Sequence, residues 1–382
     1  MKGIIKLINH IYDNLMSFGV STLLARQELG RIIKISGKNK NCKNLDTWVT
    51  KWKVLGRVNK DYYRVFSQYC GEDVNIVPDD ICHNVIEPIL NPKRFLSLYE
   101  DKCLFDRILW CSFGRNVTPY TYLRNIDGSN WNINYSLVDS IDQVISEIPV
   151  GIDRLIVKKS IDSSSGKGVV FFQRDIDGLF KEVSTKCPLS YEYLQRSFRK
   201  NYVVQKVMKQ SVFMSQFCKT SVNTIRIAVY NSVKTNKPCV INAIVRIGQD
   251  GSLIDNAHAG GMFVGVDSNG ILGKFCCNQY GEKKQVLNGI DFGKQNFKIP
   301  NYEEVKLFAE KVAGAMYHQR LVALDIMLDD KDEPVLIEYN IRAFGIWAFQ
   351  FTNGSGFGKY TDEVIEYCRE HIDEATRIFV TF

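Results

Sequence analysis

Val322-Ala-Leu-Asp325-Ile-Met-Leu-Asp-Asp-Lys-Asp-Glu-Pro-Val-Leu-Ile-Glu338-Tyr-Asn340 is the stretch that decides the fold of this chain. Two runs of β-favouring residues flank the polar turn Asp329–Glu333, which reads as a hairpin. A turn centred between Lys331 and Asp332 sets Asp325 opposite Glu338. Side chains alternate along a strand, so Asn340 shares the face of Glu338, about 7 Å further along. Three hard oxygen donors on one patch suit Mg²⁺ held together with phosphate oxygens. An acidic surface hairpin is the ordinary alternative, but Asp325 follows Val322-Ala-Leu and Glu338 follows Val335-Leu-Ile. Both carboxylates therefore stand in core-like strands, where a carboxylate without a partner is costly.

Upstream lies Leu155-Ile-Val-Lys158-Lys159-Ser-Ile-Asp-Ser163-Ser164-Ser165-Gly166-Lys167-Gly168-Val169-Val170. A strand ends in lysine, a small polar loop follows, and a second strand begins. Backbone N–H groups of such a loop can close over phosphates while the lysine supplies charge. It is not a Walker A loop, because Ile161 stands where its first glycine belongs and Gly168 where its Ser/Thr belongs. An ordinary Ser/Gly hairpin would look similar. Two further signals are Tyr202-Val-Val-Gln205-Lys206-Val207-Met208, an apolar run with polar residues at its end, and Asn223-Thr-Ile-Arg226-Ile-Ala-Val. An inward arginine in a β-run needs an anion or a carboxylate.

Around these motifs the organisation is mixed. Residues 1–70 read as helical with a lysine-rich break at Gly37–Lys43. A single helix is expected from Pro92 to Gly114, another over Ser140–Ile148, and strands over Leu155–Lys158, Val169–Gln173, Tyr202–Val207, Thr224–Tyr230 and Val240–Ile247. Asn301 and Glu304 suggest a capping box before the apolar positions Val305, Phe308 and Val312. Thr361, Asp362 and Glu363 open a last helix. Strands among packed helices without regular βαβ alternation indicate an α+β, mixed α/β fold. The 382 residues allow several subdomains. No apolar run reaches the roughly 18 residues of a membrane span. Eleven scattered cysteines without a C-x-x-C are expected to be reduced thiols in a cytoplasmic protein, which disfavours structural zinc. Residues 1–60 carry twelve lysines and arginines against three acids, whereas the rest carries 37 against 39. Such a basic segment suits a polyanionic glycan or peripheral contact with the inner face of an anionic membrane, or is a solvated helical face. No motif points to nucleic acid.

Taken in order, these motifs resemble the ATP-grasp superfamily, most closely its sugar-transfer-associated family. The resemblance begins at Asp101-Lys102-Cys-Leu-Phe-Asp-Arg107 and runs through Gly114-x4-Pro119, Lys158, Ser163–Gly168, Val204-Gln205 and Asn223-Thr-Ile-Arg226. It continues to Asn256-Ala-His258-Ala-Gly260-Gly261 and ends at Asp325…Glu338-x-Asn340, leaving 1–90 unexplained. It implies an ATP-grasp fold: two α+β subdomains clasping ATP, with an N-terminal helical extension. The boundaries expected are 1–90 for the basic helical region, 91–150 for a preceding segment, 151–208 for the lid subdomain and 209–382 for the metal-binding subdomain. It implies that Lys102 and Lys158 meet the α- and β-phosphates and that Ser163, Ser164, Ser165, Gly166 and Gly168 form the lid. Gln205, Lys206 and Val207 would hold adenine through the main chain. Asn256, Gly260 and Gly261 would line the phosphate or acceptor side, and Arg226 would stabilise the transferred phosphoryl. Asp325, Glu338 and Asn340 would hold Mg²⁺ or Mn²⁺. Lys206 stands where relatives often have Glu, and Lys159 where they often have Pro. The activity implied is carboxylate–amine ligation through an acyl phosphate, on a carboxylated sugar or glycan precursor of polysaccharide biosynthesis. A non-catalytic glycan-binding scaffold and a sugar phosphotransferase are the alternatives.

Overall fold

The computed structural model describes residues 21–161, 168–253, 255, 257 and 260–375. The lid positions Ser163, Ser164, Ser165 and Gly166, the positions Asn256 and His258, and the first twenty residues lie outside them. The chain divides into two compact units, residues 97–211 with 327–338, and residues 1–96 with 212–326 and 339–382.

The smaller unit is a six-stranded antiparallel sheet built from β1 (Thr121–Ile126), β2 (Ser129–Trp131), β3 (Arg154–Lys159), β4 (Val169–Arg174), β5 (Phe180–Glu182) and β6 (Tyr202–Lys206). Their order across the sheet is β2-β1-β6-β3-β4-β5. Leu123, Leu155, Val157, Phe172 and Val204 are buried together against Leu194 of the helix Tyr191–Ser197. The helices Ile141–Ser146 and Tyr191–Ser197 both start on a serine whose hydroxyl accepts a first-turn N–H.

The single helix expected from Pro92 to Gly114 is instead broken. Short turns Lys93–Phe95 and Leu96–Tyr99 stop before Asp101, and Lys102–Leu104 leads into a helix over Phe105–Phe113. Asp101 is extended and its carboxylate accepts the Cys103 N–H at 2.9 Å, starting a new turn instead of continuing the old one. The break serves a tertiary bond: the Lys102 N–H donates to Ser160 O, just past β3, at 3.0 Å.

The larger unit holds β7 (Thr224–Asn231), β8 (Pro238–Ile247), β9 (Met262–Val266), β10 (Leu272–Cys277) and β11 (Lys283–Lys284), then the short pair β12 (Val286–Leu287) and β13 (Ile290–Asp291). β14 (Leu321–Leu328) and β15 (Pro334–Asn340) follow in the strand order β11-β10-β9-β8-β7-β14-β15, their residues 327–338 being counted with the smaller unit. The hairpin turn closes with the Asp329 N–H donating to Glu333 O at 2.9 Å and Asp332 left-handed at φ 62°, a bond that centres the turn on Lys331 rather than between Lys331 and Asp332. The helix Tyr302–Gly314 buries Val305, Phe308 and Val312. The capping box before it does not form. Asn301 is left-handed at φ 49° and makes no side-chain cap, so the Glu304 N–H bonds its backbone carbonyl instead, at 2.9 Å.

Helices Ser21–Ser36, Leu45–Trp52 and Lys60–Cys70 belong to this same core. Trp48 is fully buried, its indole N–H donating to Ile76 O at 2.6 Å, and the Phe66 ring lies 4.9 Å from that of Phe351. No helix among the described residues is long and apolar enough to cross a membrane.

Candidate functional site

Strand register places charged groups together in each unit. In the smaller unit Lys158 is paired with Val169 of β4 and Val203 of β6, so its stem lies between apolar neighbours near the end of a central strand. Lys158 is buried, and among the described residues its ammonium has no hydrogen-bond partner; its electrostatic neighbours are Glu338 and Lys102. Burial lowers its pKa to about 8, with Lys102 adding repulsion and Glu338 opposing both. Lys102 is half-buried, and its Nζ lies 2.8 Å from Glu338 Oε1. Two lysines thus lie about one carboxylate, an arrangement that can take up an anion.

Gln205, on β6, is buried and donates through Nε2 to Thr121 Oγ1 at 2.9 Å, while its Oε1 is buried without a partner. The N–H groups of Lys206 and Val207 are already engaged by Tyr120 O at 2.9 Å and Arg154 O at 3.2 Å. Main-chain contact with a base here would fall to carbonyl oxygens unless those bonds exchange. Gly168 takes φ +74°, and a Cβ there would lie 3.2 Å from Lys159 Cγ, so both backbone and space favour glycine.

The larger unit carries a second cluster. Arg226 is directly opposite Asp325 on β14, and Thr224 is opposite Arg246 on β8. Alternation puts Thr224, Arg226, Arg246 and Asp325 on one sheet face. Arg226 grips Asp325 with two prongs, Nε to Oδ1 and Nη2 to Oδ2, both at 2.8 Å. Arg246 adds a third bond, Nη1 to Oδ2 at 2.8 Å, and reaches Asp255 with Nη2 at 3.0 Å. Asp255 also accepts the Thr224 N–H at 3.1 Å. Burial alone would raise the Asp325 pKa, but the two guanidiniums hold it down at about 2. Burial pushes Asp255 the other way, above the ordinary carboxylate value.

Arg246 and Asp255 complete this cluster and were not among the residues singled out from sequence. Arg246 carries the signal that marks Arg226, an arginine inside an apolar β-run, here Ile244-Val-Arg246-Ile247. Among the described residues Asp325 Oδ1 accepts only from Arg226, so it retains a lone pair for a hard cation. Asn340 is half-buried, its Nδ2 donating to Ala323 O at 3.5 Å. Gly260 is left-handed at φ 90° beside the Gln249 side chain, and Gly261 is buried just before β9. The oxygen donors of Asp325 and Asn340 are of the type that suits Mg²⁺, and the ammonium groups of Lys102 and Lys158 are of the type that suits phosphate.

A family model described as sugar-transfer-associated ATP-grasp matches residues 83–365, most of the chain. None of the curated proteins compared matches. Similar solved structures include D-cycloserine synthetase DcsG, at 10% identity over 74% of this chain and 73% of that one, TM-score 0.43. Another is the D-alanine–D-alanine ligase of Coxiella burnetii, at 12% over 73% and 59%, TM-score 0.35. A third is the biotin carboxylase domain of 2-oxoglutarate carboxylase from Hydrogenobacter thermophilus in complex with MgADP, at 11% over 66% and 42%, TM-score 0.36. The chain spans 42%, 47% and 54% of the length of the first three structures it matches.

Proposed function

Because the chain belongs to the sugar-transfer-associated ATP-grasp family, we propose that it is an ATP- and Mg²⁺-dependent ligase joining a carboxylate to an amine. The observation that carries this reading is the pair Lys102 and Lys158 about the Glu338 carboxylate, with Lys158 buried and its pKa lowered. Nucleotide phosphates would place negative charge beside both lysines. Lys102 would then pass from Glu338 to phosphate oxygens, leaving Glu338 free to hold Mg²⁺, a role for which Asp325 and Asn340 in the other unit carry the same donor chemistry. The cation neutralises charge on the phosphates, and the chain's own groups bind and orient. Arg226 and Arg246 stabilise charge on the phosphoryl that is transferred.

The chemistry needs no enzyme nucleophile. A substrate carboxylate oxygen attacks the terminal phosphorus of ATP, forming an acyl phosphate as the bond to ADP breaks. The amine nitrogen then attacks the acyl carbon, the C–O bond to phosphate breaks with its electron pair, and the nitrogen loses a proton to phosphate or solvent. The family's association with sugar transfer favours a carboxylated sugar or glycan precursor as the acid, in polysaccharide biosynthesis. The basic segment 1–60 would guide an anionic glycan.

Incubation with Mg-ATP, uronic acids and a pool of amines, read by mass spectrometry, tests this. ADP together with a new amide is the expected result. A phosphorylated sugar without amide would make the protein a phosphotransferase, and no turnover of ATP would make it a glycan-binding scaffold.

A further inference from the structure

The larger unit has a half-open cavity of about 530 Å³ in a part of the chain that lies mostly ahead of the family-matched segment. Its apolar wall is Leu29 and Ile32 of the helix Ser21–Ser36, Phe66 of Lys60–Cys70, and Trp347. Its polar wall is Asp79, Asp80 and His83. A cavity with one greasy and one acidic side is built for a molecule of the same two-sided character.

On the buried part of the acidic side three carboxylates face one imidazole. His83 lies 3.7 Å from Asp79 Oδ1 through Nε2 and 3.1 Å from Glu87 Oε1 through Nδ1, so two carboxylates already share one imidazole. Asp80 is a third carboxylate, bonded by the N–H of its own neighbour Ile81 at 2.9 Å. Among the described residues Asp79 Oδ1 is buried and accepts no hydrogen bond. Burial raises both aspartates, Asp80 to about 6, whereas His83, despite burial, is raised to about 10 by Asp79 and Glu87. Exposed Arg26 and Lys93 are the other cations here, and Glu28 is already paired with Arg31.

The local backbone is irregular in a way that frames the cavity. Residues Cys82–Ile86 form a π-helical turn. Pro88 has no N–H to return to the carbonyl of Asn84, so the α-helical ladder lapses and the turn widens, presenting His83 and Asn84 to the cavity. Glu87, behind His83, accepts the N–H groups of Ala343 and Phe344 at 3.1 and 2.8 Å. That turn leads to Gly345, where a Cβ would lie 3.9 Å from Arg226 Nη1 and 4.0 Å from Trp347 Nε1. The cavity wall and the Arg226 cluster are thus near neighbours within one unit.

We propose that this cavity binds a small organic ammonium compound, its nitrogen against Asp79 and Asp80 and its apolar body against Ile32, Phe66 and Trp347. Inorganic cations do not match the apolar wall, and neutral hydrocarbons leave Asp79 Oδ1 buried without a donor.

Titration calorimetry of the full chain without nucleotide tests this, using phenethylammonium chloride against its uncharged isostere 2-phenylethanol. Saturable one-to-one binding of the ammonium, at least about tenfold tighter than the alcohol, is expected. Asp80→Asn should weaken it about tenfold and Glu28→Gln should not. If Asp80→Asn fails to fold by circular dichroism, Ile32→Trp, which narrows the cavity at its apolar wall, must weaken binding at least about tenfold. Equal affinity for the two probes, no saturable heat, or binding unaffected in Ile32→Trp would overturn the proposal. No arm involves ATP, so the ligase reading and this one fail separately.

Discussion

Lys158 is held where its charge is least comfortable. Its pKa of about 8, set chiefly by burial, lies below the roughly 10.4 of the unfolded chain. Between those values the unfolded chain binds a proton that the folded one does not, so stability rises with pH across that window. Nucleotide binding has the opposite sign, because phosphate needs the ammonium form. ADP affinity should be flat below pH 8 and fall by about tenfold per unit above it, measured by calorimetry at pH 7, 8 and 9. Lys158→Met should bind weakly with no such slope, and a flat profile in the unaltered protein would remove Lys158 from the phosphate site.

The arginine–aspartate cluster separates catalysis from bracing. Asp325 contributes stability above its ordinary pKa, and that contribution is lost as pH falls towards about 2. Arg246→Gln would remove the ion pair of Asp255, leaving it the Thr224 hydrogen bonds, and leave Asp325 to Arg226, and should cost about 3–5 kcal/mol in chemical denaturation. Arg226→Lys keeps the charge but loses the two-pronged grip. It should lower turnover at least about tenfold, roughly 1.4 kcal/mol, with ADP affinity little changed. Normal turnover with a lowered Tm would make Arg226 a strand brace only.

At the scale of elements, the hairpin β14–β15 and the strands around Lys158 and Arg226 are legible in sequence because alternating or continuous β-branched runs end in recognisable turns. The Pro92–Gly114 region is not legible, because an aspartate at 101 reads equally as a helical residue or as the cap of a new turn. The tie of Lys102 to Ser160, distant in sequence, decides between them. Arg246 was within reach of the rule that flagged Arg226, but its partner Asp255 comes from a loop that periodicity cannot place. The cavity under the first helices depends on Pro88 and on contacts with residues nearly 300 positions away, which no local pattern encodes. Asn301 misleads in an instructive way, since asparagine favours both N-caps and the left-handed region. The backbone, not a cap, is what it supplies, so Asn301→Gly should be nearly neutral by thermal unfolding. Asn301→Ala should cost about 1 kcal/mol, from left-handed strain. Equal losses for both would restore a capping role for the side chain.

At the scale of the molecule, each unit has its own buried core, one around Leu123, Val157 and Phe172, the other around Trp48, Phe66 and Phe351. Such units open with their own free energies, and a ligand protects the one that holds it. The lysines proposed to meet phosphate sit in the smaller unit, on β3 and at the turn tied to it. Mg-ADP at a hundred times its Kd should therefore stabilise that unit by about 2.7 kcal/mol, slowing hydrogen exchange in β3 and β6 by about 100-fold where exchange requires its opening. Trp48→Ala, which hollows the other core, should lower stability by about 3–5 kcal/mol yet leave this protection in place. Lys158→Met should do the reverse, removing the protection with little change in the exchange of Leu45–Trp52. Protection by Mg-ADP that survives Lys158→Met, or that is confined to the helices around Trp48, would place the nucleotide away from the lysine pair and undo the assignment of the smaller unit to phosphate binding.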